Sequence, residues 1–133
     1  MLVKYKKTFK KIAMGLLSFM PTERELKKLL HTMQRYEDNP TWQLYLWKKE
    51  EDIVGLVGVE VAGDSFVIQH MTVDPSHRRE GIGRAMAEEI QQLMQHRDMH
   101  TTKETELFLK KYFLQEQVFP AGEANLKITG VLI

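Results

Sequence analysis

The stretch Val73-Asp-Pro-Ser-His-Arg-Arg-Glu-Gly-Ile-Gly-Arg84 constrains this chain more than any other. It follows an apolar run at 66–73 and precedes an amphipathic series, Ile82, Ala85, Met86, Ile90, Leu93 and Met94. A strand therefore feeds a tight basic loop, and the loop opens a helix. A helix start presents unpaired N–H groups and the positive end of the helix dipole. Gly81 and Gly83 have no side chain to hold a ligand off the backbone. Arg78, Arg79 and Arg84 add positive charge. Such a loop suits a phosphate or pyrophosphate. Its order differs from a Walker A loop, which needs Gly-Lys-Ser/Thr, and from the Gly-x-Gly-x-x-Gly dinucleotide fingerprint.

The 133 residues fit one domain, 1–133, long enough to bury a core. Cysteine is absent. That removes a disulfide framework, a thiolate nucleophile and a cysteine metal site. His96 and His100 have the four-residue spacing of helical metal ligands, but no third ligand accompanies them, so no metal is expected. The longest apolar stretch is too short to span a bilayer, and the lysine-rich start lacks a small-residue cleavage site. The expectation is a cytoplasmic protein without a membrane partner.

The formal net charge of +1 hides an asymmetry. Residues 1–36 hold nine Lys/Arg against two Asp/Glu, a net of +7, and the remainder carries −6. No aromatic stacking pattern or recognition-helix signature accompanies the charge, so nucleic acid is not the expected partner. Lys4, Lys6, Lys7, Lys10 and Lys11 read as the solvated face of a helix and its lead-in.

Along the chain, residues 1–5 suit a short strand. Phe9, Ile12, Ala13, Leu16 and Leu17 form one helical stripe that Pro21 ends. Thr22-x-x-Glu25 predicts a capping box opening a second helix, with Leu26, Leu29, Leu30 and Met33 on its buried face. Strands are expected at 42–47, 53–61 and 66–73, in an antiparallel meander. Gly55 and Gly58 inside the second of these suggest a bulge or a close backbone approach. The loop and its helix follow, then a short strand at 97–101, a helix at about 102–114, and a tail at 118–133 with a turn at 122–125 and a β-rich end at 126–133. The class is α/β.

Arg78-x-x-Gly81-x-Gly83, placed after Val73-Asp-Pro75, resembles the cofactor motif of the GNAT N-acetyltransferases. The predicted element order agrees with that family over most of the chain. The phrases at 11–21, 52–55 and 75–77 are similar to a branch of the family encoded with riboflavin-synthesis genes. The resemblance implies a central mixed β-sheet flanked by helices, with splayed parallel strands at an acyl-CoA cleft. It implies acetyl-CoA as co-substrate, without a metal, and a small-molecule or peptide amine as acceptor. The protein would be a monomer or homodimer.

By the same resemblance, the main chain at Met71, Thr72 and Val73 would face the pantetheine arm. A backbone N–H near Met71 would polarise the thioester carbonyl. Arg78, Arg79, Glu80, Gly81, Ile82, Gly83 and Arg84 would hold the pyrophosphate. Many members carry a proton-donating tyrosine on the last helix. The matching phrase here is Phe108-Leu109-Lys110-Lys111, and Leu109 has no proton to give. Tyr112, three residues on, is the candidate donor. Glu60 is the candidate base, acting through water, because Val67 and Gln69 on the next strand are not bases. In a regular strand His70 points away from those two. A non-catalytic acyl-CoA-binding module is the alternative reading.

Overall fold

The computed structural model describes the backbone of residues 1–116 and the side chains of residues 1–111. The order is β1 (Leu2–Lys4), α1 (Lys10–Leu17), α2 (Leu26–Asp38), β2 (Trp42–Lys49), β3 (Asp52–Ala62), β4 (Ser65–Val73), α3 (Ile82–Leu93), β5 (Asp98–Thr101) and α4 (Lys103–Glu116). The strands form one sheet in the order β1-β2-β3-β4-β5. All neighbours are antiparallel except β4 and β5, which run parallel. The tail at 118–133 lies outside the described residues.

The sheet separates two cores. On one face Val57, Val59, Phe66, Ile68, Met71 and Val73 meet Ile82, Met86, Ala87 and Ile90 of α3 and Leu109 of α4. On the other face Leu44, Leu46 and Leu56 meet Ala13, Leu16 and Leu17 of α1 and Leu29, Met33 and Tyr36 of α2. Burying each large apolar side chain contributes about 1.5–3 kcal/mol.

The second helix departs from its expected form. It begins at Leu26 with Glu25 as N-cap and no side-chain cap bond, and residues Pro21–Glu23 make a 3-10 turn before it. The Thr22 hydroxyl is directed to the Glu23 carboxylate at 3.2 Å instead of to a helix N–H. Leu26 and Leu30 are exposed, and Thr32 and Tyr36 take the inner positions beside Leu29 and Met33. These polar groups are inside because each has a buried partner, Glu23 for Thr32 and His70 for Tyr36.

Two features of β4 set the geometry of the cleft. Its pairing with β5 runs from Ser65↔Asp98 to Ile68↔Thr101 and stops, while β4 continues to Val73. The buried Thr105 hydroxyl donates to the Ile68 carbonyl at 2.8 Å, where a continuing ladder would have bonded. Among the described residues, β4 has a strand neighbour from 69 to 73 on the β3 side only. On that side the register jumps from Val59↔Ile68 to Gly58↔His70, so Gln69 is a bulge residue.

Candidate active site

The bulge changes which way His70 faces. Phe66, Ile68, Met71 and Val73 all enter the α3 core, so both Gln69 and His70 fall on the opposite, α1/α2 side. The expectation that His70 opposes Gln69 is corrected: one extra residue reverses the alternation.

There His70 joins a buried polar network. The Tyr36 hydroxyl lies 2.5 Å from His70 Nδ1, and His70 Nε2 lies 3.5 Å from Glu23 Oε2. Thr32 donates to Glu23 Oε1 at 2.5 Å. Glu23 is 1% exposed, and His70 and Tyr36 are each 7% exposed. Gly58 on β3 makes the room, since a Cβ there would overlap the Tyr36 hydroxyl. The close approach expected at a strand glycine is present.

Burial pushes the Glu23 carboxyl up, but the bonds from His70 and Thr32 and the nearby Lys28 ammonium outweigh it. The group stays ionised below its ordinary range. Burial, then the Glu23 and Glu60 charges, push the Tyr36 phenol well above its ordinary value, against a smaller opposing pull from Arg35. Tyr36 is therefore neutral. Either it donates to Nδ1 of a neutral ring that carries Nε2–H, or it accepts from an imidazolium. Both arrangements place a ring N–H toward Glu23.

This network floors a cavity of about 270 Å³ lined by Lys28, His31, Arg35, Trp42, Gln69 and Glu104 besides Glu23 and His70. A narrower cavity of about 140 Å³ adjoins it, walled by Phe19, Met20, Pro21, Met71, Thr72, Arg78, Phe108 and Lys111. Glu104 lines both, and Pro21/Thr22 and His70/Met71 divide between them. The exposed Phe19 belongs to this apolar wall. The sheet thus opens into a narrow slot, apolar along Phe19, Met20, Pro21 and Phe108 but carrying Arg78 and Lys111, that leads to a polar chamber.

The loop lies at the end of β4. Asp74 accepts from the Ser76 N–H at 2.9 Å and so turns the chain into Pro75–His77. Arg79 has φ 67° and Gly81 φ 80°. Left-handed residues in a loop turn neighbouring N–H groups to one side, the geometry of anion-binding nests. For arginine that conformation costs about 1–2 kcal/mol, so the loop holds a shape its sequence does not favour locally. Gly81 caps α3, and a Cβ on it would meet none of the described residues within 4 Å. The space above the helix start is open.

The loop side chains diverge. Arg78 Nε donates to the Val73 carbonyl at 3.2 Å, which places its guanidinium on the narrow cavity. Arg84 Nε is 2.8 Å from Glu88. Glu80 reaches across to Lys49 at 2.6 Å and to His77 at 3.2 Å, and the lysine, then the histidine, hold its carboxyl below the ordinary range. Ile82 and Gly83 are buried in the first turn of α3. Met71 and Val73 present main chain to the gap and side chains to the core.

Glu60 shares the α1/α2 side, where its Oε1 accepts from Gln69 Nε2 at 3.0 Å. Tyr112 belongs to α4, but its side chain lies outside the described residues. Reasoning from sequence missed Glu23, Thr32 and Tyr36. The available signals were Gly58 inside an apolar strand and a tyrosine three residues after Met33 on a buried helix face. His96 and His100 do not share a helix: His96 follows the end of α3, and His100 is on β5. Among the described residues no group of three His, Cys, Asp or Glu is placed to hold a metal, and no helix is long and apolar enough to cross a membrane.

Known proteins agree with this architecture. An uncharacterised N-acetyltransferase from the region 3′ of lysA in Bacillus methanolicus is 49% identical over 112 residues, which cover 84% of this chain and 93% of that protein. The fold is that of AAC(6′)-Iy in complex with a bisubstrate analogue, CoA-S-monomethyl-acetylneamine, with TM-score 0.68, 13% identity and 92% of both chains covered. It is also that of a ribosomal-protein-alanine N-acetyltransferase from Brucella melitensis, with TM-score 0.65, 14% identity and 92% of both chains covered. A model of the acetyltransferase (GNAT) family matches residues 12–109, spanning both the Glu23 turn and the Gly81 loop. This chain belongs to the GNAT acetyltransferase family.

Proposed function

We propose that the protein transfers an acetyl group from acetyl-CoA to the primary amine of a small-molecule or peptide acceptor, in the cytoplasm and without a metal. The observation that carries this reading is the junction of the β4–β5 gap with the left-handed loop at Gly81. An open helix start beside a strand edge suits a pyrophosphate followed by an extended, amide-bearing arm. Acetyl-CoA supplies the acyl group as an activated thioester.

The chain does the rest by position and proton handling. Loop N–H groups at 79–84, with Arg78, Arg79 and Arg84, hold the phosphates. The open β4 edge at Met71, Thr72 and Val73 pairs with the arm and turns an N–H to the thioester carbonyl. The amine enters through the larger cavity and is held near the slot, which makes the attack effectively unimolecular. It must first lose a proton. We assign that proton to His70, with Glu23 and Tyr36 as positioning residues. On uptake the Tyr36 hydroxyl rotates from donor to acceptor, and both ring nitrogens stay bonded. Glu60, held by Gln69, is the second candidate base, acting through water. Tyr112 is the candidate donor to the leaving thiolate.

The test is thiol release from acetyl-CoA over a panel of primary amines. Amine-dependent release is expected. Binding of CoA with no release for any amine would favour the non-catalytic acyl-CoA module. That reading draws support from the phrases at 11–21, 52–55 and 75–77, whose likeness points toward riboflavin synthesis.

A further inference from the structure

The larger cavity carries charge of both signs, in separate places. Its acidic groups are Glu23, on the buried floor, and Glu104, half-buried at the border with the narrow slot. Its basic groups, Lys28, His31 and Arg35, are exposed and follow one another at helical spacings along α2, so they form one edge of the opening. The farthest of them is held in place. Arg35 Cζ sits 4.2 Å over the centre of the Trp42 ring, a cation–π contact with a buried tryptophan. Lys28 leans inward, its Nζ 3.7 Å from Glu23 Oε2, yet its side chain is about half exposed (49%). This contact is long and open to exchange.

A polycation in this chamber would meet Lys28 and Arg35. A simple anion would meet Glu23 and Glu104. Only a guest with both signs satisfies both sets. Resting on the acetyltransfer reading, we propose that the acceptor is a small zwitterionic amine. Its ammonium sits on Glu23 beside Glu104, and a carboxylate or phosphate a few bonds away is held by Lys28 and Arg35. In that seat the ammonium replaces Lys28 Nζ as the counter-ion of Glu23, and Lys28 turns to the anionic group. The amine then lies at the mouth of the slot, where Glu104 lines both cavities. A chamber of about 270 Å³ is at the small end of ligand sites, which fits a compact metabolite.

The test is a titration of the CoA-loaded protein with matched amines, followed through the imidazole NMR signals of His31 and His70. The probes are O-phosphoethanolamine and β-alanine against ethanolamine and 1,4-diaminobutane. Both anionic amines should perturb both histidines and bind about tenfold more tightly than the other two. In Lys28→Gln and in the Lys28→Gln/Arg35→Gln pair this advantage should shrink to under about threefold. Equal or tighter binding of ethanolamine or the diamine overturns the proposal. So does an advantage that persists in the paired variant, or no perturbation by any amine. Failure of CoA to bind is a different result: it removes the acetyltransfer reading, and the same comparison is then made on the CoA-free protein.

Discussion

A single methyl group at position 58 would overlap the Tyr36 hydroxyl, and that hydroxyl positions His70. Gly58→Ala should therefore destabilise the fold by about 1–3 kcal/mol, as overpacking of a fixed neighbour does. Gly58→Ala combined with Tyr36→Phe should recover part of that loss in denaturant unfolding without restoring turnover. No recovery would mean that the edge of the Tyr36 ring, which the methyl also overlaps, sets the cost rather than the hydroxyl. Glu23 makes a pH prediction. Its folded carboxyl lies below the ordinary value of 4.5, so it contributes stability that is complete above about that pH and is lost as pH falls through the folded value. Glu23→Gln should flatten this acid limb of a stability-against-pH curve. The phenol of Tyr36 acts at the other end. Its folded value is raised, so its contribution is complete below 10.0 and declines above it. An acid limb that is unchanged in Glu23→Gln would assign the limb to other carboxylates.

At the scale of elements, the β4 bulge and the Thr105 cap decide where the cleft opens. Thr105→Val leaves the buried Ile68 carbonyl without its partner, at a cost of about 1–3 kcal/mol. Deleting Gln69 restores regular alternation between Ile68 and Met71 and so leaves His70 on the α1/α2 side, while removing the amide that bonds Glu60. The ring itself is tested by His70→Gln, which should abolish amine-dependent thiol release in a protein that still shows cooperative unfolding; retained turnover would remove His70 from the mechanism. These devices also explain how much was legible in advance. The meander, the loop and α3 could be read because apolar runs, Asp-Pro and paired glycines act locally. The α2 start was misread because Thr22-x-x-Glu25 has capping-box spacing, while the Thr22 hydroxyl actually serves the buried Glu23. His70 was misread because a bulge leaves no local mark in sequence: Gln69 is an ordinary strand residue until its pairing is known.

For the whole molecule, the split of charge has a different meaning from its sum. Of the basic N-terminal third, only Lys28 and Arg35 reach the cavity beside the network, and Lys10 instead pairs with Glu37 at 3.3 Å. The sheet divides the labour: the α3 side buries an apolar core, and the α1/α2 side houses the polar network. The loop at 78–84 is the part that the acetyltransfer proposal sets against a phosphate-bearing ligand. The most direct measurement is a calorimetric titration of coenzyme A into the wild type and into Gly81→Val, with cooperative unfolding checked in both. The variant places a β-branched residue at φ 80° and fills the space over the helix start. If the loop holds the pyrophosphate, coenzyme A binds the wild type and affinity falls at least about tenfold in the folded variant, with Arg78→Ala weakened less because main-chain N–H groups carry much of the grip. Undiminished affinity in a folded Gly81→Val protein would contradict that role of the loop.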